Sequence, residues 1–459
     1  MLEGVGHTAA DDRDAFGRPK APLSTGRLLA VTAYWLAITV LWGAMTFSVI
    51  PRLVESPGVL GDAAHPQAGL YISIVTTIGV VIAIFVQPTM GAISDHTRSR
   101  LGRRKPYIIA GTIMDLLFLT LAAWAFWNQS YIPFVVAVGL LQFSSNFAQG
   151  PYQGYVPDLV PSKQVGVASG LLGAANIAGN IIGPALALLF IGVLPTALGF
   201  PEVSLGLFVA IAAVEVVTML ITVIWVPDRS APETTLSLAQ RARSAWGTDI
   251  LAERDFVWVM VSRLLVLTGL VTLQAFAVFF LENVHGMTPD EALGAAFPIL
   301  IVTAVAALIA AVPGGQISNR IGRKPVLYTA IAVGTAGGLV IAFAPEYWMV
   351  VGAAVPIGIC SGVFLGVDWA LMTDIIPKAQ SGRYMGISNI AVAGAGPIGT
   401  TVGGLLVFAV ILASADTAFA WRALFVLMAA ELLLGALALR RVREPIRSGA
   451  AAEPEPAPA

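Results

Sequence analysis

Charge is what this chain has least of. Only 12% of its 459 residues are Asp, Glu, Lys or Arg, whereas a soluble protein carries roughly 25%. A water-exposed globule of this size is therefore excluded. Cysteine is nearly missing: the single Cys360 lies in an apolar run, which leaves no intramolecular disulfide and no cysteine-ligated metal. The four histidines follow no zinc spacing. There is no phosphate-binding glycine loop and no nucleophile elbow, so neither ATP hydrolysis nor another enzyme activity is expected. No cofactor, metal or nucleic-acid partner is implied. The first 26 residues are polar, with no apolar core and cleavage site, and read as a tail rather than a signal peptide.

What is abundant is apolar. Hydrophobic residues make up 57% of the chain, and the mean hydropathy is +0.82. A membrane span needs about 20 apolar residues. On that rule the sequence predicts an all-α integral membrane protein of twelve helices, at 28–50, 70–92, 106–127, 131–157, 165–191, 205–226, 256–281, 293–317, 325–344, 347–376, 383–412 and 421–440. The segments divide into a tail (1–27), a six-helix bundle (28–226), a polar linker (227–255), a second bundle (256–440) and a C-terminal tail (441–459). By this topology 23 of the 26 Lys and Arg fall on one side, 2 (Arg52 and Arg422) on the other, and Arg263 inside a span. Basic loops stay in the cytoplasm, so both termini are expected there.

One stretch concentrates the scarce charge: Gly91-Ala-Ile-Ser-Asp95-His-Thr-Arg98-Ser-Arg100-Leu-Gly102-Arg103-Arg104-Lys105-Pro106. A shorter copy stands at Gly315-Gln-Ile-Ser-Asn319-Arg320-Ile-Gly322-Arg323-Lys324-Pro325. The halves repeat elsewhere too. Asp158-Leu-Val-Pro161 returns 216 residues later as Asp374-Ile-Ile-Pro377, and at the same offset Gly166, Gly170, Gly183 and Glu215 fall on Gly382, Gly386, Gly399 and Glu431. Parallel repeats of this kind suit two bundles that rock about a midplane site. Helices 5 and 11 are rich in glycine, which permits close approach across the halves or ordinary bundle packing.

The doubled basic loop resembles the signature between helices 2 and 3 of the major facilitator superfamily. In detail, Ser94-Asp95-x-x-x-Ser99-Arg100-x-Gly102-Arg103-Arg104-x-Pro106 and Gln149-Gly150-Pro151-Tyr152 are similar to the sucrose–proton and broader glycoside–cation symporters. The resemblance implies two pseudo-symmetric six-helix bundles, with helices 1, 4, 7 and 10 lining a central cavity. It departs from the melibiose-type members, because helices 1, 2 and 4 hold no interior carboxylate. A partial match to the drug–proton antiporter motif at Gly179-Asn-Ile-Ile-Gly183-Pro184 lacks its closing glycine pair.

An ionisable residue within a span is costly and is a functional candidate by default. Arg263 lies about 10 Å into helix 7 and Asp368 about 12 Å from the same end of helix 10, at 1.5 Å per residue. They are predicted to pair, either as an ion-coupling site or as a permanent structural bridge. Asp115, Glu215 and Glu431 lie on peripheral helices and read as scaffold. Gly91, Asp95, Gly102, Arg103, Arg104, Asp158, Gly315, Arg323 and Asp374 are expected to form a cytoplasmic gate. For cargo, the cavity helices offer Tyr34, Trp35, Trp42, Gln142, Asn146, Gln149, Tyr152, Gln274 and Trp369. Amides with aromatic faces suit a polyhydroxyl ligand, although each could instead serve packing between helices. The expectation is a monomeric, proton-coupled carrier of a sugar or other small polar solute in the lipid bilayer of the cytoplasmic membrane. Its rival is a proton-driven efflux antiporter for drugs or metabolites.

Overall fold

The computed structural model describes residues 18–54, 56, 58–59, 68–199, 201–231, 236–414 and 416–444. Most of the N-terminal tail and the C-terminal tail beyond 444 lie outside them. Among the described residues, twelve helices are long and apolar enough to cross a membrane. Helix 1 is Thr25–Ala44, prolonged by a π-turn at Met45–Val49 and a last turn at Ile50–Val54. Helices 2 to 6 are Ala68–Asp95, Lys105–Trp127, Tyr131–Gln153, Val165–Ala187 and Gly206–Trp225. Helices 7 to 12 are Arg254–His285, Pro289–Ile321, Arg323–Phe343, Tyr347–Ile375, Ser381–Ser414 and Thr417–Arg440.

Local chemistry sets several ends. The Ser24 hydroxyl caps helix 1 by accepting from the Arg27 N–H, and Asp416 caps helix 12 through the Phe419 N–H at 2.9 Å. Thr288 and Glu291 form a reciprocal capping box that starts helix 8 ahead of its apolar run. Helices 3 and 9 start beside the basic motifs, each capped by a distant carboxylate. Asp228 accepts from the Arg104 and Lys105 N–H groups at 2.7 and 2.9 Å, and Glu444 accepts from the Arg323 N–H. Those two acids stand 216 residues apart, so the repeat extends to the chain leaving each bundle.

In the first half, helix 1 packs on helices 5 and 6, helix 3 on 4 and 6, and helix 2 on 4. In the second, helix 7 packs on 11 and 12, helix 8 on 10, and helix 9 on 10 and 12. The halves meet along helices 2 and 11 and along helices 5 and 8. Backbones touch there because glycines face each other. A Cβ on Gly91 would run into the Gly382 carbonyl, and one on Gly166 into the Gly315 carbonyl. The side-chain hydrogen bonds and ion pairs that join the halves, among the described residues, lie toward the face that carries the basic loops. This conformation is closed on that basic face.

The polar linker is not featureless. It holds a short helix, Leu238–Ser244, and a 3-10 turn, Thr248–Ala252. Trp246 packs on Phe85 with ring centroids 5.4 Å apart and donates from Nε1 to Thr89, while Arg241 donates to the His96 carbonyl. These contacts fasten the linker to helix 2 and the loop that follows it.

Candidate functional site

At the basic face the predicted gate residues form a charged network centred on Arg104, which is fully buried. Its guanidinium donates to Ser94, to Asp95 at 2.6 Å, to Asp158 at 3.1 Å and to Ser381 of helix 11 at 2.9 Å. Burial disfavours this cation, but Asp95 and Asp158 outweigh it and raise its proton affinity further. Asp95 in turn accepts from the Gly382 and Arg383 N–H groups, the unpaired donors of helix 11's first turn. Arg103 bridges to Asp158 at 2.6 Å.

The second motif repeats the plan with different charge. Asn319 takes the place of Asp95 and accepts from the Gly166 N–H at the start of helix 5, while Arg323 reaches Ser318, Asn319 and Asp374. Arg18 adds a strap from the N-terminal segment, donating to Asp374 at 3.0 Å and to the Thr373 carbonyl at 2.7 Å. All the predicted gate residues are thus gathered on this face. Gly102 and Gly322 make its turns, at φ of 101° and 97°. Ser94 belongs to the basic-loop motif, whereas Ser381, Arg18, Asp228 and Glu444 had no sequence signal beyond being polar residues in loops and helix ends. Beside this network, a cavity of about 290 Å³ lies between the linker and helices 2 and 11. None of the cargo candidates lines it.

Deeper in, Arg263 and Asp368 pair as their depths predicted. Arg263 Nε and Nη2 both stand 2.6 Å from Asp368 Oδ2, and Nη1 approaches the Ser388 carbonyl at 3.4 Å. Both residues are buried. Asp368 Oδ1 carries no hydrogen bond among the described residues, so it remains for a proton or a hydroxyl group.

Trp369, the residue after Asp368, is one of four aromatic side chains that converge. Trp35 stacks on Tyr152 at 6.3 Å, Tyr34 meets Tyr152 edge to face at 5.3 Å, and Trp35 meets Trp369 across the halves at 5.1 Å. The Tyr152 hydroxyl donates to the Val31 carbonyl at 2.7 Å, which fixes its ring. Neither the Trp35 nor the Trp369 indole N–H has a partner among the described residues. Gln149, one turn before Tyr152, makes no side-chain hydrogen bond there either.

The other cargo candidates are dispersed. Trp42 donates to Ser145 at 3.1 Å. Asn146 donates to the carbonyl and the side chain of Gln142, and Gln142 packs beneath Gly79 of helix 2, so this amide pair is engaged in holding helices 2 and 4. Gln274 is exposed on helix 7. Sequence reasoning missed one amide bridge across the halves, Asn389 Nδ2 to Gln87 Oε1 at 2.6 Å. Two isolated amides on the long apolar helices 2 and 11 carried no motif.

The chain is 27% identical to the sucrose transport protein SUC4 of Arabidopsis thaliana over 38% of its own length and 36% of that protein. It thus spans only about a third of the curated sucrose transport relatives it matches. It is 22% identical to the multidrug resistance protein MdtG of Enterobacter lignolyticus over 92% of this chain and 94% of that one. Among solved structures, a variant of the E. coli fucose:proton symporter FucP superposes with a TM-score of 0.66 at 16% identity, covering 89% of this chain and 98% of that one. The fold is therefore that of the major facilitator superfamily, two six-helix bundles, as the doubled basic loop implied. A family model described as MFS/sugar transport protein matches residues 68–439, and the chain accordingly belongs to that family of transporters.

Proposed function

We propose that the protein is a monomeric secondary active carrier that moves a sugar or glycoside by alternating access, in symport with protons. On this reading it sits in the cytoplasmic membrane with the basic face and both termini in the cytoplasm, as the Lys and Arg asymmetry supports. The observation that carries the proposal is the buried Arg263–Asp368 pair, with Asp368 Oδ1 unbonded among the described residues, on the helix whose next residue, Trp369, joins Trp35 and Tyr152 in an aromatic cluster. Aromatic faces stack on the C–H faces of a sugar ring. Gln149, the two indole N–H groups and Asp368 Oδ1 supply the polar contacts a hydroxyl-rich cargo needs. A carboxylate parted from its arginine in a low-dielectric interior takes up a proton, which gives coupling a physical route. The likeness to a sucrose transport protein and the family description support the cargo class.

The test is uptake into proteoliposomes with a panel of labelled mono- and disaccharides, with Asp368→Asn alongside. Accumulation driven by an inward proton gradient, lost in Asp368→Asn while counterflow survives, is the expected result. The likeness to MdtG along nearly the whole chain favours one second reading, proton-driven efflux. No sugar uptake, with a lipophilic cation moving against the proton gradient instead, turns the assignment to that reading.

A further inference from the structure

Two carboxyl side chains lie at mid-depth in the first half with no cation beside them. Asp115 is ten residues into helix 3 and Glu215 ten residues from the end of helix 6, about 15 Å from the basic end in each case. They are 1% and 2% exposed. Helices 3 and 6 pack on each other, and Glu215 lies within electrostatic range of Asp115. The groups nearest the pair on the neighbouring helices are Tyr34 of helix 1, whose hydroxyl pairs with Thr112 at 2.9 Å, and Ser144 of helix 4, with Tyr152 packed on the far side of Tyr34. No Lys or Arg bridges to either acid among the described residues.

The hydrogen bonding around Ser144 points to a bound proton. Ser144 Oγ lies in hydrogen-bond contact with both Asp115 Oδ1 and the Leu140 carbonyl, the latter at 3.0 Å. A hydroxyl has one hydrogen and can satisfy only one of these acceptors. If Asp115 is protonated, its O–H donates to Ser144 Oγ and Ser144 donates to Leu140, and both contacts are satisfied. Glu215 Oε2 is likewise buried with no hydrogen-bond partner among the described residues. Two ionised carboxylates cannot share such a site without a cation.

The internal repeat shows that the fold does not require this arrangement. Ser144 corresponds to Cys360 and Glu215 to Glu431, each 216 residues on. Aligning Arg104 with Arg323 puts Asp115 on Gly334, and Gly334 packs directly against Cys360. The second half therefore keeps the contact between helices but has a glycine and a thiol where the first has an acid and a hydroxyl. Of the two halves, the first alone pairs two acids at this place.

We infer that Asp115, with Glu215 as its acidic neighbour, is a proton-binding site in the first half, separate from Asp368, and that Asp115 holds a proton on Ser144 while the basic face is closed. The inference rests on the protein being an ion-coupled carrier but not on the identity of its cargo. The site lies directly behind the aromatic wall. Ser145, next to Ser144, accepts from Trp42, and Tyr34 packs on Tyr152, which stacks on Trp35. Loss or gain of the proton thus reaches the cargo-facing rings through one layer of side chains.

Infrared difference spectroscopy of the purified full chain in lipid tests this without any cargo. At neutral pH the protein should show the C=O stretch of a protonated, buried carboxylic acid. That band should be lost in Asp115→Asn or weakened and moved in Glu215→Gln, with Asp368→Asn leaving it in place. In proteoliposomes, Asp115→Asn should retain counterflow yet lose one limb of the pH profile of uptake. If Asp115→Asn does not fold, Glu215→Gln and Ser144→Ala serve, since each leaves Asp115 in place and disturbs its proton. No such band in the wild type, or a band indifferent to Asp115→Asn and Glu215→Gln, overturns the inference. So does a pH profile unchanged in a folded Asp115→Asn. The band present in a protein that moves no sugar sinks the cargo assignment and leaves the proton site standing.

Discussion

Asp95 at the end of helix 2 holds the first turn of helix 11 through the Arg383 N–H at 3.0 Å, so one carboxylate joins the two halves. In the equivalent place on helix 8, Asn319 does the same for helix 5 without charge. Asp95→Asn should therefore fit the same space and keep its shape. It gives up charge-assisted bonds to Arg104 and to helix 11, worth about 1.5–3 kcal/mol each. The closed basic face should become less populated by roughly tenfold or more, since each 1.4 kcal/mol is a factor of ten. Spin-label distances between the basic ends of helices 2 and 11 should broaden toward longer values.

Gly166 and Gly315 predict a steric version of the same effect. A methyl group at Gly166 meets the Gly315 carbonyl and the Arg323 guanidinium. Overpacking of this kind costs about 1–3 kcal/mol. Because the clash exists only when helices 5 and 8 are together, Gly166→Ala should leave each bundle intact and disfavour closure. Thermal unfolding should change little, whereas transport should fall sharply.

For Arg263 and Asp368, the expected signature is non-additivity. Removing one partner leaves a buried charge unpaired, at about 3–5 kcal/mol. Asp368→Asn and Arg263→Met should each lower the unfolding temperature in detergent. The double variant should be more stable than the Arg263→Met protein alone, because no charge is then left in the interior. Additive losses in the double variant would show that the two side chains do not act as a pair.

Acid should loosen the linker. The Arg383 fork donates to both Asp249 oxygens, at 2.8 and 2.7 Å, and this holds the Asp249 carboxyl below the ordinary carboxylate range. A depressed folded-state value means the tie is fully present above the unfolded carboxylate's value and is lost as pH falls through the lowered one. The Asp249 side chain is 61% exposed, so salt should weaken the tie as well. Trp246 fluorescence reports the release, and Asp249→Asn should abolish its acid transition.

Much of the membrane topology is legible from residue type alone, since twelve apolar runs stand out in a chain so poor in charge. The ends are not. The apolar run predicts helix 8 over 293–317, but the helix spans Pro289–Ile321, because the Thr288–Glu291 capping box and the Gly315–Asn319 motif extend it with polar residues. The basic motifs are legible for the same reason that the spans are: several cations within ten residues have no other place in such a sequence. Their partners are not. Ser381 lies 277 residues from Arg104, and a lone serine at a helix start carries no mark of what it binds. Asp115 is visible as an acid within a span. Its peripheral position suggests scaffold, and only the geometry of Ser144 and the missing counterpart at Gly334 point elsewhere.

Arg263 and Asp368 belong to the same half, on helices 7 and 10. A motion that swings one rigid bundle against the other carries both ends of this ion pair along together and stretches neither. The Trp35–Trp369 crossing, by contrast, comes apart by rotation alone. In the proposed alternating-access cycle the charge pair would be a passenger of the rocking movement, with mechanical force between the bundles having no grip on it. On the proposed symport reading, whatever opens it arrives as a chemical species, a proton or a hydroxyl group, and the trigger for coupling would be local acid–base chemistry rather than leverage.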